Sequence, residues 1–260
     1  MSQPRRGVWP AVVTAFGFLI AWELACRLEV VSPVLLSSPT RVLAKGATLL
    51  SAGAIYADLG FTLAVFALSV VVGIVAGTCL GLALGISSTI YQALNPFVVA
   101  SNALPKIVLM PLIVLWVGVG MSANVLLGSI MASFPIIVST FAGVRQLEAE
   151  YMTLARSFGA SNGMIARSIV LPGVLPYVLS GLRVGINNAL VGALIGEFFA
   201  SDRGVGYRML LAMSNFEVDA FFVYLCLVAL FAVACTWVVQ RIERWVERWR
   251  PAAFDAPGGM

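Results

Sequence analysis

The stretch GFTLAVFALSVVVGIVAGTCLGLALGI, residues 60–86, carries no charged side chain and decides the class of fold. It belongs to a charge-free run from Leu59 to Pro105, and a second run without Asp, Glu, Lys or Arg extends from Ile107 to Val144. One membrane-crossing helix needs about 20 apolar residues. Each run therefore holds more than one crossing or shares one with its neighbour, which predicts an integral membrane protein.

The composition of the whole chain supports the same class. Hydrophobic residues make up 60% of the 260 residues and charged residues 11%, against about 25% charged in soluble domains. So much apolar surface excludes soluble and disordered classes. The chain has no histidine, which removes the commonest acid–base group and metal ligand.

Turn signals divide the apolar runs into spans. We predict an all-α membrane protein consisting of one domain, residues 1–260, with six transmembrane helices. Lys106 must lie inside the third span, because residues 107–117 alone are too short to cross. The approximate spans are 8–26, 60–86, 96–117, 123–144, 174–199 and 218–240.

Basic residues distribute unequally between the two sides of this arrangement. The larger group shares a side with both termini, which the positive-inside rule places in the cytoplasm. The cytoplasmic group is Arg5, Arg6, Arg145, Arg156, Arg167, Arg241, Arg244, Arg248 and Arg250, and the opposite group is Arg27, Arg41, Lys45, Arg203 and Arg208.

Sequence patterns for catalysis are missing. The chain contains no G-x-x-x-x-G-K-[ST] phosphate-binding loop and no G-x-S-x-G nucleophile turn. The sequence also has no basic patch with interleaved aromatic residues of the kind that binds nucleic acid. We therefore expect a protein without catalytic residues, bound metal or cofactor of its own, and transport or scaffolding becomes the preferred class.

Small residues recur every four positions in the second span. Such a stripe lets another helix backbone approach closely, which is a main source of helix association in lipid. Ordinary packing within the chain is the simpler interpretation, and a subunit interface or sliding contact is the alternative. The residues are Gly73, Gly77, Gly81 and Gly85.

Polar side chains inside the predicted spans are the candidates for a solute pathway. A Lys or Arg at mid-bilayer costs about 2.5–3.5 kcal/mol, so such groups face protein or water. They either line a translocation route or pair within the protein, and a structural role is favoured for Glu197, which lies near a span end. The candidates are Asn102, Lys106, Arg183, Asn187, Asn188 and Glu197.

The connection 145–172 between the fourth and fifth spans predicts two short amphipathic helices. Gly159 separates them, Ser161 or Asn162 can cap the second, and Pro172 is expected to stop it. An amphipathic knob requires a partner protein or the membrane surface.

This connection resembles the cytoplasmic signature of ABC importer permeases, EAA-x3-G-x9-I-x-L-P. Gly159, Ile169, Leu171 and Pro172 match it in order and spacing, and Ala155 matches the last alanine. Thr153 and Leu154 replace the glutamate and the first alanine. The likeness extends over roughly residues 30–250, and more of the chain resembles one branch of that family, the permeases for taurine, aliphatic sulfonates, nitrate and related compounds. It is carried by residues 38–43, 103–106, 109–120, 181–183, Glu197 and 204–207.

The resemblance implies type I ABC importer permease architecture in a bacterial inner membrane. A second permease copy would complete the pathway, two ATPase subunits would bind ATP and Mg, and a periplasmic or lipid-anchored substrate-binding protein would deliver the solute. The segment 145–172, called the docking loop below, would contact the ATPase. Its expected contact residues are Thr153, Ala155, Phe158, Gly159, Ala160, Met164, Ile169, Leu171 and Pro172.

Several functions remain open at the sequence level. A sulfonate, taurine or nitrate is the expected solute, and the same architecture importing a riboflavin or thiamin precursor is the alternative. An ion-coupled secondary carrier is the alternative from another class, although the internal repeat usual in such carriers is not found. A membrane-embedded enzyme is disfavoured because the carboxylates are scattered and histidine is absent.

Overall fold

The computed structural model describes residues 9–32, 34–147 and 154–247, and all regular structure in these ranges is helical. The all-α fold class is therefore confirmed. A 3-10 turn, Lys106–Leu109, precedes α5, and a π-helical turn, Ala166–Val170, joins α7 to α8. The helices are α1 (Trp9–Arg27), α2 (Pro39–Ser51), α3 (Ala54–Ile86), α4 (Ser88–Ala103), α5 (Met110–Val117), α6 (Met121–Gln146), α7 (Asn162–Ile165), α8 (Leu171–Ala200), α9 (Val205–Ser214) and α10 (Val218–Glu247).

Four helical segments in the described ranges are long and apolar enough to cross a membrane. A fifth crossing results if α4 and α5 together form one bent span. The helix α1 occupies the first predicted span but is not among these segments. The count of six spans therefore stays a prediction. The four segments are Ile55–Ile86, Met121–Gln146, Gly163–Ala200 and Val218–Ile242.

The third predicted span, 96–117, differs from the expected single helix. The chain bends by 100° between α4 and the helical segment Lys106–Val117. Leu104 has extended backbone angles (φ −73°, ψ 135°), which residues before proline favour, and Pro105 has no N–H to continue the helix. Lys106 consequently lies at the break.

The helix α6 is packed between α3 and α8 through small residues on both sides. A Cβ atom added at Gly73 would lie 2.6 Å from the Cβ atom of Ala132, so the two backbones are in close contact. On the other side, a Cβ atom at Gly192 would lie 2.7 Å from the Cα atom of Gly128. The glycine stripe of α3 therefore faces another helix of the same chain. Gly73, Gly77, Gly81 and Gly85 lie against Ala132, Ile136, Thr140 and Val144, respectively.

Pro172 does not stop a helix, contrary to the sequence-based expectation. The helical segment runs from Gly163 to Ala200 without a break. The N–H group of Leu171 donates to the carbonyl of Ala166, five residues back. Because the proline ring clashes with the carbonyl four residues before it, this widened turn lets the helix continue through Pro172.

Candidate functional site

The docking loop has a packed base in its described part. Val144, Ile165, Val170 and Val174 form a buried apolar cluster that joins the end of α6 to α7 and α8. A Cβ atom added at Gly173 would lie 2.6 Å from a terminal methyl of Leu147, which shows how closely α8 approaches the end of α6. The loop is therefore fixed to the helix bundle.

The tip of the docking loop exposes apolar side chains. Phe158 is 84% exposed and Met164 59% exposed. Between them, Gly159 has φ +80°, its N–H donates to the carbonyl of Arg156, and the N–H of Ala160 donates to that of Ala155. These bonds form the helix-ending turn in which glycine is favoured, so Gly159 makes the bend. The Ser161 hydroxyl accepts the Met164 N–H at 3.3 Å, as expected for a cap.

The structure places the predicted contact residues of this loop at different depths. Thr153 lies outside the described residues. Ala155, Ala160 and Ile169 pack on the buried base. Phe158 and Met164 project from the tip, and the exposed Leu171 and Pro172 begin α8.

Several pathway candidates lie on surfaces that the isolated chain leaves uncovered. Asn102 is exposed at the end of α4, and Lys106 is half-buried at the break. The Lys106 Nζ atom donates to the carbonyl oxygen of Asn102 at 3.3 Å and lies 4.6 Å from the centre of the Phe134 ring on α6. Within the membrane segment of α8, Arg183 and Asn187 are exposed and Asn188 is half-buried. Facing lipid would be costly for these groups, so this surface requires water or protein.

Glu197 is placed apart from these groups and is completely buried. Its Oε2 atom accepts hydrogen bonds from the Thr62 hydroxyl at 3.0 Å and from the Gly206 N–H at 2.7 Å. Thr62 also accepts the Val205 N–H at 2.9 Å. Glu197 therefore ties the C-terminal end of α8 to α3 and to the start of α9, as favoured for a structural group.

Asp58 completes this arrangement. Its carboxylate accepts the Gly204 N–H at 2.9 Å and pairs with the Arg208 Nε atom at 2.7 Å, which raises the pKa of Arg208. Gly204 has φ +100°, and a Cβ atom there would lie 2.5 Å from the carboxyl carbon of Glu197. Only glycine fits this turn. We call Asp58, Thr62, Glu197 and Arg208 the polar cluster.

Three members of the polar cluster were not predicted from the sequence. Asp58 directly precedes the charge-free run, and Arg208 follows the glycine pair at 204 and 206. From these positions alone, both residues could be predicted to lie near the end of a membrane span. Their pairing, across 150 positions of sequence, is a tertiary contact that no local pattern signals.

Ion pairs cover the end of the bundle that carries the polar cluster. Every basic residue predicted on the non-cytoplasmic side pairs with a carboxylate, at distances from 2.7 to 3.3 Å. Two pairs join α2 to the start of α10, where the Ser37 hydroxyl also donates to Asp219 at 2.6 Å. The pairs are Arg27–Glu23, Arg41–Asp219, Lys45–Glu217, Arg203–Asp202 and Arg208–Asp58.

Residues 69–248 match a protein family described as "Binding-protein-dependent transport system inner membrane component". The chain is 28% identical to the formylaminopyrimidine transport permease protein ThiX of Halalkalibacterium halodurans, over 89% of this chain and 92% of that protein. It is 26% identical to the taurine transport system permease protein TauC of Escherichia coli, over 94% of this chain and 90% of that protein. It is 30% identical to the riboflavin transport system permease protein RibX of Chloroflexus aurantiacus, over 94% and 92%, respectively.

Solved structures show a related fold. The inward-facing MetNI methionine ABC transporter contains a chain that matches with a TM-score of 0.68 at 18% identity. The match covers 75% of this chain and 97% of that one. The helical bundle thus has the fold of an ABC importer permease.

Proposed function

Because the chain belongs to the family of inner-membrane components of binding-protein-dependent transport systems, we propose that it forms, with a second copy of itself, the solute pathway of an ABC importer. The chain is a permease subunit and not an enzyme. Separate ATPase subunits supply the energy, and an external binding protein delivers the solute. Family membership favours this function over a secondary carrier, which was the alternative from another class.

The observation that carries the proposal is the exposed apolar tip on the packed base of the docking loop. Phe158 and Met164 expose apolar surface that a lone chain has no reason to keep in water. We assign this tip to a groove on the ATPase, with Gly159 setting the bend between its two halves. The remaining contact residues are those expected from the signature, Thr153, Ala155, Ala160, Ile169, Leu171 and Pro172.

The polar surface formed by the α4–α5 break and α8 is the proposed pathway. Asn102, Lys106, Arg183 and Asn187 cannot face acyl chains without cost, and a second copy across a two-fold axis would enclose them around water. Asn188 borders this surface. Glu197 is omitted from the pathway because it is buried in the polar cluster.

A small anion, such as a sulfonate, taurine or nitrate, is the proposed solute. Lys106 and Arg183 are the charged side chains on the proposed pathway, and both are cationic. The taurine permease relative supports this class. The formylaminopyrimidine and riboflavin permease relatives support the alternative, a vitamin or vitamin precursor.

The proposed orientation places the docking loop and both termini in the cytoplasm. The predicted cytoplasmic side carries nine basic residues and the opposite side five. The positive-inside rule counts Lys and Arg residues themselves, so this difference supports the proposed orientation. We call the end with the polar cluster the outer end.

Co-purification tests the proposal. The tagged chain is expressed with its neighbouring genes, extracted in mild detergent and weighed as an intact complex. Two permeases with two ATPases are expected, and the accompanying binding protein is screened with taurine, alkanesulfonates, nitrate, riboflavin and a formylaminopyrimidine. A chain that transports in liposomes without ATP or an ATPase subunit would refute the importer function.

A further inference from the structure

A bulky residue occupies a glycine-type backbone conformation at the end of α9. Phe216 has φ +57°, which is uncommon for residues other than glycine and unfavourable for a large side chain. Its N–H donates to the Met213 carbonyl at 3.1 Å, and the Glu217 N–H donates to that of Ala212 at 2.8 Å. This is the helix-ending turn in which glycine normally holds the left-handed position. The chain therefore keeps an aromatic side chain here against backbone preference.

The described residues leave the side chain of Phe216 largely uncovered, so packing against them does not offset this strain. It is 74% exposed and lies just beyond the last residue of α9, Ser214. Leu210 and Met213, three residues apart in α9, share one face of that helix and are exposed as well. We call Leu210, Met213 and Phe216 the outer apolar surface.

Hydrogen bonds and ion pairs hold both ends of the segment that carries the outer apolar surface. Glu197 and Asp58 accept backbone N–H groups at the start of α9, and the Asp58–Arg208 pair fixes its first turn. At the other end, Lys45 on α2 pairs with Glu217, next to Phe216. A backbone segment held on such a frame does not have to be ordered when a partner binds, which lowers the entropic cost of binding.

Polar residues flank Phe216 in the chain. Its neighbours Ser214, Asn215 and Glu217 are exposed, and the Glu217 carboxylate in its ion pair requires water or headgroups around it. An exposed aromatic ring surrounded by polar side chains is the usual arrangement of a binding hot spot with its polar rim. The occupant is therefore expected to be a protein.

We propose that Phe216, supported by Met213, is the anchor through which the external solute-binding protein docks on the permease. This assignment rests on the proposed function and orientation, which put the outer apolar surface on the side where that protein arrives. The family depends on a binding protein, and the surface combines exposure, rigidity and a polar rim at that end. The partner is expected to present an apolar recess that accepts the ring.

The test compares Phe216→Gly with the matched control Glu29→Gly in the assembled complex. Glu29 holds the same position in a turn of the same type at the end of α1, with φ +52°. Both substitutions relieve the backbone, so neither is expected to unfold the protein. The complex, reconstituted in nanodiscs with its ATPases, is titrated with the binding protein encoded beside it, and affinity and stimulated ATP hydrolysis are measured.

We expect Phe216→Gly to weaken binding-protein affinity about tenfold or more, with basal ATP hydrolysis and thermal stability retained. Glu29→Gly should retain wild-type affinity. If the wild-type complex responds to the binding protein and Phe216→Gly binds it equally well, the docking proposal is overturned while the proposed function stands. Unchanged affinity with a lower permease copy number, or with altered lipid retention, would identify a second copy or lipid as the occupant and overturn it as well. A wild-type complex that ignores the binding protein would refute the proposed function itself.

Discussion

Gly159 is the residue on which the shape of the docking loop depends. Its φ of +80° disfavours any β-branched side chain, so Gly159→Val should cost about 1–2 kcal/mol in the docked geometry. We expect ATPase binding to weaken about tenfold and uptake to fall with it. The measurement is the amount of ATPase retained per permease, together with ATP-dependent uptake in vesicles.

Gly163→Val is the control for that substitution. Gly163 lies in the same loop but in regular helix, with no atom near enough to meet a new Cβ atom. The Gly163→Val variant should therefore retain ATPase binding. Normal uptake by Gly159→Val would show that the loop does not dock through this bend.

Gly77 tests the close packing of α3 on α6. A methyl group there would lie 2.8 Å from the Cβ atom of Ile136 and 2.9 Å from the Ser133 carbonyl oxygen, so Gly77→Ala should destabilise the protein by about 1–3 kcal/mol. The readout is the thermal unfolding midpoint in detergent. Gly60→Ala in the same helix meets no neighbour and should be neutral or stabilising by up to about 1 kcal/mol. Equal effects of the two would argue against the tight contact.

Glu197 tests the polar cluster. Glu197→Ala leaves the Gly206 N–H and the Thr62 hydroxyl without their acceptor, at about 1–3 kcal/mol for each buried unsatisfied group. Glu197→Gln keeps an acceptor oxygen and should lose much less stability. Thermal unfolding of both variants decides the point, and an alanine variant as stable as wild type would show that the cluster does not hold α9.

Among the elements, the π-helical turn before α8 sets the angle of the docking loop. Pro172→Ala restores an N–H group that can bond four residues back, which favours regular helix and rotates α7 relative to α8. We expect ATP hydrolysis to persist while uptake per ATP falls. Pro176→Ala, one turn further along α8, should keep normal coupling. Unchanged uptake per ATP in Pro172→Ala would mean that the turn is not needed for coupling.

The charge distribution of the sequence predicted where the long helices lie better than it predicted where they bend or continue. The charge-free runs located α3 and α6, because the cost of burying charge in lipid is a local property of the sequence. The bend at Pro105 could have been predicted from the same local rules, since Leu104 precedes a proline. The passage of a helix through Pro172 was not predicted, because the proline rule ends a regular α-helix and the widened turn at Ala166–Val170 has no signal in the local sequence.

At the scale of the whole molecule, the uncovered polar surface predicts how two copies meet. In a two-fold assembly, Asn187 of one copy should approach its counterpart in the other. In a variant with the four native cysteines replaced, Asn187→Cys should be joined to its counterpart by a bifunctional thiol reagent long enough to cross the water-filled pathway. Leu230→Cys, exposed on α10, should not. The reverse result would place the interface on α10.

Long-range contacts limited what the sequence could predict for the candidate site. The docking loop could be predicted as one unit because its residues are contiguous and Gly159, Ile169 and Pro172 keep a fixed spacing. The sequence predicted the polar cluster only in part, because Asp58 and Arg208 are far apart in the sequence and meet only in the folded chain. Burial of Glu197 likewise depends on α3 and α9, which no pattern around residue 197 specifies.

One continuous helical segment, Gly163–Ala200, connects the docking loop to the polar cluster. Its 38 residues span about 57 Å at 1.5 Å per residue, and a tilt of about 10° displaces the far end by roughly 10 Å. One end carries the surface proposed to meet the ATPase, and the other holds the turn beneath α9 through Glu197. Under the proposed function, a displacement of the docking loop would be carried along this segment to the turn beneath α9, so that movement at the ATPase and movement at the opposite end of the bundle would be linked through one helix.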